Sequence, residues 1–257
     1  MRFRDIAVLV DGIPHMTPIE GRVVYDFVLK TRPQEILELG FCHGVSTCYM
    51  AAALQETGTG HILTIDNRFA QDNEPSIESL LERAALSAYV TPVYAHSTYV
   101  WELMRLIEEQ SLEGVCRPRF DFCFNDGAHL WGVDGFAFFL VDKLLRSGGW
   151  VLFDDLSFSP GMDMPPDTAW VRDLSDEERA TPQMTKVFDL LVRQHGGYGN
   201  IRADLKWGLG WGWAQKDARP ADVGLIEEIY AAQPLRSRAH VLMRHTKRRW
   251  REAKRRA

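Results

Sequence analysis

The chain has 257 residues, a formal charge of −5, 46% hydrophobic residues and 25% charged ones. That is the balance of a globular protein with room for one large domain, and it excludes a disordered chain. No apolar run nears the 18 residues that a membrane-spanning helix needs, and residues 6–10 are too short an apolar stretch for a signal peptide.

In chain order, a helix over residues 18–31 leads to the first of five short apolar runs. Residues 35–39, 61–66, 91–95, 120–125 and 149–154 are closed by Gly, Asp or Asn and predict strands buried on both faces. Amphipathic stretches over 44–56, 76–88, 98–109 and 132–146 are long enough for crossover helices. This alternation predicts a doubly wound, Rossmann-like α/β fold with a mostly parallel sheet.

The pattern changes after Asp155. Residues 157–182 carry Pro160, Pro165 and Pro166 and read as a long loop with a short helix boxed by Ser175 and Glu178. Thr181 as N-cap and Pro182 as first helical residue then open a helix that stops at Gly196-Gly197. Residues 200–205 and 209–215 predict two more strands, which bring the sheet to seven with an antiparallel edge. One domain over 1–216, with an N-terminal lid helix, is expected. Residues 217–257 are then a helical extension ending in a basic tail.

Charge and cysteines narrow the setting. Residues 244–257 hold eight cations against Glu252 alone, so the rest of the chain is more acidic than the total suggests. An acidic body is not a nucleic-acid reader. Cys42, Cys48, Cys116 and Cys123 form no CxxC and no Cys/His cluster in sequence, which predicts reduced thiols in a cytoplasmic protein.

The first strand runs into Glu38-Leu39-Gly40-Phe41-Cys42-His43-Gly44-Val45-Ser46 where a helix begins. Glycines at 40 and 44 permit a tight turn and close approach to a ligand, at the strand mouth where doubly wound sheets bind ligands. The dinucleotide fingerprint fails at Cys42 and Val45, and no Gly-Lys-Ser/Thr follows for a phosphate loop. Asp66 closes the second strand, where a carboxylate accepts both hydroxyls of a ribose. Glu38 stands where an acid meets an ammonium.

These residues resemble the class I S-adenosylmethionine (SAM) dependent methyltransferase superfamily, whose first motif is acid-x-Gly-x-x-x-Gly. The resemblance covers roughly residues 18–215. It implies that Glu38, Gly40, Gly44 and Ser46 line the methionine portion of SAM, that Asp66 holds the ribose and that Ser97 contacts the adenine. Ser97 also reads as a helix cap.

Three carboxylates and a histidine carry the chemistry. The fourth strand delivers Asp126 and, three residues on, His129; the fifth delivers Asp154 and Asp155. Neighbouring parallel strands stand about 4.8 Å apart, so these acids share one mouth. Ionised carboxylates crowded there repel, so one is protonated or a cation joins them, and an all-oxygen set suits Mg²⁺. The alternative is that Asp154 and Asp155 merely cap a loop.

Asp126-Gly127-Ala128-His129 is similar to the Asp-x-x-His of metal-dependent O-methyltransferases, most of all the macrocin type that methylates sugar hydroxyls. The resemblance implies Asp126, Asp154 and Asp155 as metal ligands, with Asp126 also beside the cofactor, and His129 as catalytic base. Catechol-type relatives usually place lysine at His129 and Asp-Asn at Asp154-Asp155. An alcohol with a pKa near that of water, roughly 15.7, lies about 9 units above an ordinary histidine, on the order of 12 kcal/mol. A base alone contributes about 10²–10⁴-fold, so the metal is asked for the rest.

The expected function is therefore a Mg²⁺-dependent SAM O-methyltransferase acting on a small-molecule hydroxyl, preferably of a sugar. The alternatives are a phenolic or catechol enzyme and a non-catalytic binding protein of the same fold. His15-Met16-Thr17-Pro18 and residues 157–182, with Met162, Met164 and Trp170, are the expected lids. Trp207, Trp211 and Trp213 read first as core or homodimer contacts and second as a sugar platform. His15, His43 and His96 read as structural or cofactor-shell residues. The tail over 239–256 reads as a solvated helix, with a membrane-surface or oligomer contact as the alternative.

Overall fold

The computed structural model describes residues 1–165, 167–205 and 209–233. Seven strands form the main sheet: β1 (Glu35–Leu39), β2 (His61–Asn67), β3 (Val90–Ala95), β4 (Phe120–Asn125), β5 (Leu145–Phe153), β6 (Tyr198–Asp204) and β7 (Trp211–Lys216). Their order is β3-β2-β1-β4-β5-β7-β6, with β1 to β5 parallel. β7 runs against both β5 and β6 and makes the expected antiparallel edge. The order reverses between β1 and β4, so their carboxyl ends form the crevice where ligands bind in such sheets.

Alternation along each strand builds two cores. Ile36, Ile62, Phe122, Phe124, Trp150 and Leu152 face the layer of α1 (Phe3–Leu9), α2 (Pro18–Thr31) and α3 (Val45–Thr57). Leu37, Leu63, Cys123, Val151 and Phe153 face α5 (Tyr99–Gln110) and α6 (Trp131–Leu144) on the other side. Successive side chains point to opposite faces, and both faces are covered. Trp211 and Trp213 are fully buried, and Trp213 packs on Phe27 and Phe122. They are core residues, which removes them as a sugar platform; Trp207 lies outside the described residues.

Some boundaries differ from expectation. α1 was not foreseen: seven residues bury only Ile6, too short a period to read. The helix expected over 76–88 ends as α4 (Ile77–Arg83), and left-handed Ala85 leads into a 3₁₀ turn over Ser87–Tyr89. β5 begins at Leu145, because Leu145 pairs with Phe120 ahead of an irregularity in the ladder. A small hairpin, Ser111–Leu112 with Val115–Cys116, turns at Glu113-Gly114, both at positive φ as a two-residue hairpin turn requires.

Residues after Asp155 hold three short helices rather than one: α7 (Pro160–Asp163), α8 (Ala169–Arg172) and α9 (Asp176–Ala180). The Ser175–Glu178 capping box is present on α9. Thr181 is not an N-cap. Its hydroxyl donates to the Glu177 carbonyl and closes α9, so α10 (Gln183–Lys186) starts two residues later and continues as a π-helical turn over Val187–Val192. Beyond β7, α11 (Leu225–Ala231) docks Ile226 and Ile229 into the α2 core. The basic tail lies outside the described residues. No helix among the described residues is long and apolar enough to cross a membrane.

Candidate active site

α2 and the two strand mouths define the site. Thr17 caps α2 in a box with Glu20, and Pro18 takes the first turn where no N–H partner is needed. That fixes residues 14–16 as a strap lying over the β1–α3 loop. Pro14, His15 and Met16 line one side of a small cleft whose other side is Phe41, Cys42, His43, Val45, Ser46 and Asp126.

The β1–α3 loop is tied down by its own acids. Gly40 has φ +86°, and a Cβ there would stand 1.9 Å from the Asp126 carbonyl oxygen, so only glycine lets β1 and β4 meet. Glu38 is fully buried and accepts hydrogen bonds from Ser46, Thr47 and Thr64 hydroxyls, the last two at 2.6 Å. Burial pushes its carboxyl up to about 7 against the pull of these three hydroxyls. Its oxygens face protein donors, and it braces the loop from behind. Gly44, at φ +89°, ends the loop as the left-handed N-cap of α3.

Asp66 is spent in the same way. Its Oδ2 accepts the Phe41 and Cys42 amides at 2.9 and 2.7 Å, and its Oδ1 accepts the amide and side-chain nitrogen of Asn67. A carboxylate offers about four lone-pair sites, and all are met by protein. Ser97 is exposed in the β3–α5 turn, and Thr98 rather than Ser97 is the N-cap residue of α5.

The β4–β5 mouth is the opposite. Asp126 is pushed well above the carboxylate range by burial and by the charges of Asp154, Asp155, Glu38 and Asp66. Asp154, 9% exposed, is pushed up by burial and by Asp155 and Glu20, although its Oδ1 accepts the Trp211 indole N–H and the Asp155 amide, both at 2.6 Å. His129 Nε2 lies 3.6 Å from Asp126 Oδ1 and 3.8 Å from Asp155 Oδ2, while its Nδ1 is buried with no hydrogen-bond partner among the described residues. The imidazole thus stands between two of the three acids. Its ring packs 5.0 Å from Phe158, the start of the second lid segment.

Backbone strain gathers here as well. His15, Cys42, His129 and Asp155 all adopt positive φ, between +50° and +82°. Non-glycine residues held there cost stability and persist where the surroundings enforce them, often at functional sites. For His129 the enforcing contacts are visible. The Tyr99 hydroxyl accepts the Ala128 amide at 3.0 Å and donates to Asp134 Oδ1, Asp134 Oδ2 accepts the Leu130 amide, and Gln183 Oε1 accepts the Trp131 amide.

The structure therefore brings Glu38, Gly40, Gly44, Ser46, Asp66, Asp126, His129, Asp154 and Asp155 to one crevice. Sequence reading missed Glu20, Tyr99, Asp134, Gln183 and Trp211. Glu20 and Asp134 could have been found as acids in the first turns of their helices, reaching back to Thr17 and Leu130; Tyr99, Gln183 and Trp211 act between distant segments and leave no local signal. Among the described residues, the triple whose ligating atoms all lie within 4.8 Å of one another is His15, Cys42 and His43, not the three aspartates. The four cysteines are free, as expected.

Comparison with known proteins agrees with this architecture. A family described as "Methyltransferase domain" matches residues 37–156, from within β1 to just beyond Asp155. No curated protein matches the chain. Among solved structures it is similar to an O-methyltransferase from Bacillus cereus in complex with SAH, at 19% identity, TM-score 0.57, covering 83% of this chain and 87% of that one. It is also similar to the O-methyltransferase TomG from Streptomyces achromogenes, involved in tomaymycin synthesis and in complex with SAM, at 18% identity, TM-score 0.56, 83% and 88% covered. An SAH-bound methyltransferase from Podospora anserina matches at 16% identity, TM-score 0.60, 83% and 87% covered. Residues 37–156 thus match a methyltransferase-domain family, and the chain takes the Rossmann-like fold of these solved structures.

Proposed function

We propose that the protein is a SAM-dependent O-methyltransferase that methylates a hydroxyl of a small molecule, a sugar in preference to a phenol, with Mg²⁺ as second cofactor. The observation that carries this is His129, held in a left-handed turn with Nε2 between Asp126 and Asp155 beside the Gly40 loop. A pair of acids around an imidazole, at the mouth of a methyltransferase-like sheet, suits removal of a proton from an acceptor.

The donor types in the crevice suit both groups. For SAM, the cleft between strap and loop opens onto Ser46 at the start of α3, where backbone N–H groups favour a carboxylate. Glu38 holds Ser46 and Thr47 so that this helix start keeps its place. Asp66 keeps the loop's turn, and a ribose reaches Asp66 by displacing the exposed Asn67 side chain. For Mg²⁺, Asp126, Asp154 and Asp155 are oxygen donors crowded by like charge, and they would share one ion by drawing together or through its waters.

When bound, SAM supplies the methyl group, and the cation supplies a Lewis acid that lowers the pKa of the acceptor hydroxyl. His129 takes that hydroxyl proton, while Asp126 and Asp155 stabilise the imidazolium that results. Tyr99 and Asp134 fix the turn that aims the ring. The 14–16 strap and the lid that starts at Phe158 exclude water. The preference for a sugar rests on the histidine base, since an alcohol needs more help than a phenol. The free cysteines support a reducing, cytoplasmic setting.

The test is methyl transfer from labelled SAM to a panel of sugars and phenols, with and without chelator. Transfer to a sugar that stops on chelation is the expected result. Full activity in excess chelator after dialysis removes the metal from the proposal, and transfer to phenols alone removes the sugar.

A further inference from the structure

The 14–16 strap touches the glycine loop through a set of donors that the methyl-transfer reading does not use. His15 comes from the strap, and Cys42 and His43 come from the loop. One ring nitrogen of each histidine and the Cys42 Sγ all lie within 4.8 Å of one another. In a tetrahedral zinc site with Zn–N of about 2.0 Å and Zn–S of about 2.3 Å, such atoms stand roughly 3.5 Å apart. Closure by about an ångström brings them into range.

Three further features prepare the donors. His43 Nδ1 lies 2.9 Å from the Pro75 carbonyl oxygen, an acceptor that places the proton on Nδ1 and leaves the lone pair on Nε2. Cys42 is held at both ends: its amide donates to Asp66, and the Asn73 side chain donates to its carbonyl at 2.9 Å. His15 and Cys42 both sit at positive φ, a backbone shape that non-glycine residues hold only where their surroundings enforce it. Two imidazoles and one thiol are a borderline-to-soft set, which selects Zn²⁺ over Mg²⁺.

We propose that His15, Cys42 and His43 form a Zn²⁺ site that latches the strap onto the glycine loop. The site is separate in donor chemistry from the carboxylates at the β4–β5 mouth, and the fourth position stays open to water. Partial desolvation and the neighbouring His43 hold His15 below the ordinary histidine pKa against the pull of Asp155, so its ring is ready as a neutral ligand. Burial and the Asp66 charge hold the Cys42 thiol above its ordinary value, so zinc binding displaces its proton to solvent. The strap walls the cleft proposed to admit SAM, so the latch would govern entry to it.

Zn²⁺ alone is titrated into the full chain by calorimetry, with excess Mg²⁺ present to compete at the carboxylates. One Zn²⁺ per chain is expected, with affinity falling by about 10–100-fold or more in His15→Ala, Cys42→Ser and His43→Ala. Co²⁺ in place of Zn²⁺ should show a thiolate charge-transfer band that Cys42→Ser abolishes. His15 is exposed, so His15→Ala tests the site without disturbing the core. Hydrogen exchange reads the latch itself: Zn²⁺ should slow the amides of residues 15 and 16 in the native chain and not in His15→Ala. None of these measurements needs methyl transfer, so a failed activity assay leaves the zinc result standing. Equal zinc affinity in the native chain and His15→Ala overturns the site, as does zinc lost on Asp155→Asn and kept in the three variants. Unchanged exchange of the strap overturns the latch.

Discussion

The two strand mouths that share the crevice solve the problem of buried charge in opposite ways. At the β1–β2 mouth, Glu38 and Asp66 are met by hydroxyls and amides of the protein, and their work is to hold backbone in a difficult shape. At the β4–β5 mouth, Asp126 gains no such relief and is crowded by like charges, with His129 lodged beside it. A satisfied acid is a brace, whereas an unsatisfied one waits for a cation or a proton. Under the proposed function, the first half positions the ligand and the second reacts with it.

The largest expected effect breaks the reactive half alone. His129→Ala should lower turnover by about 10²–10⁴-fold, the usual range for a general base, while SAH binding measured by calorimetry stays near native. Near-normal turnover with the true acceptor would make His129 a structural residue.

Next comes pH, which separates the halves without a mutation. An acid whose folded pKa is raised stabilises the fold fully below its unfolded pKa, and that contribution is lost as pH rises through the folded value. Glu38, moved from 4.5 to about 7, should thus cost about 3 kcal/mol between pH 4.5 and 7 at roughly 1.4 kcal/mol per unit. Asp126 and Asp154, also raised well above the carboxylate range, add to this loss. Thermal midpoints should fall from pH 5 to pH 8, and Mg²⁺ should restore stability at pH 8 but not at pH 5. A midpoint that rises over this interval would show the acids already ionised and satisfied.

Glu38→Gln tests the brace. It keeps the shape but puts an amide donor among three hydroxyl donors, so it should cost about 1–3 kcal/mol in urea unfolding. Its kcat should change less than its affinity for SAH. The smallest effect sharpens the role of Asp66. Asn67→Ala removes the exposed amide that competes for Oδ1, and SAH should bind a few-fold tighter, for a lost hydrogen bond of about 1 kcal/mol or less. Weaker binding in that variant would place the ribose on Asn67 instead.

How much of this the sequence determined depends on the range of the signal. Short apolar runs closed by Gly, Asp or Asn placed five strands within a few residues, because strand burial is written in consecutive side chains. The Thr17 start of α2 and the Ser175 box were equally local. So were Asp126, His129, Asp154 and Asp155, since a polar residue ending a buried strand has nowhere to go but the mouth. The sheet order decided the rest. It set Trp211 against Asp154 across 57 residues and buried Trp213 under α2, where sequence offered an exposed platform as well. It put Tyr99 beneath the His129 turn, filled the lone pairs of Asp66, and brought His15 to Cys42 and His43. Those pairings join residues from different strands and helices, and no spacing along one segment encodes which neighbour a side chain meets once the sheet has closed.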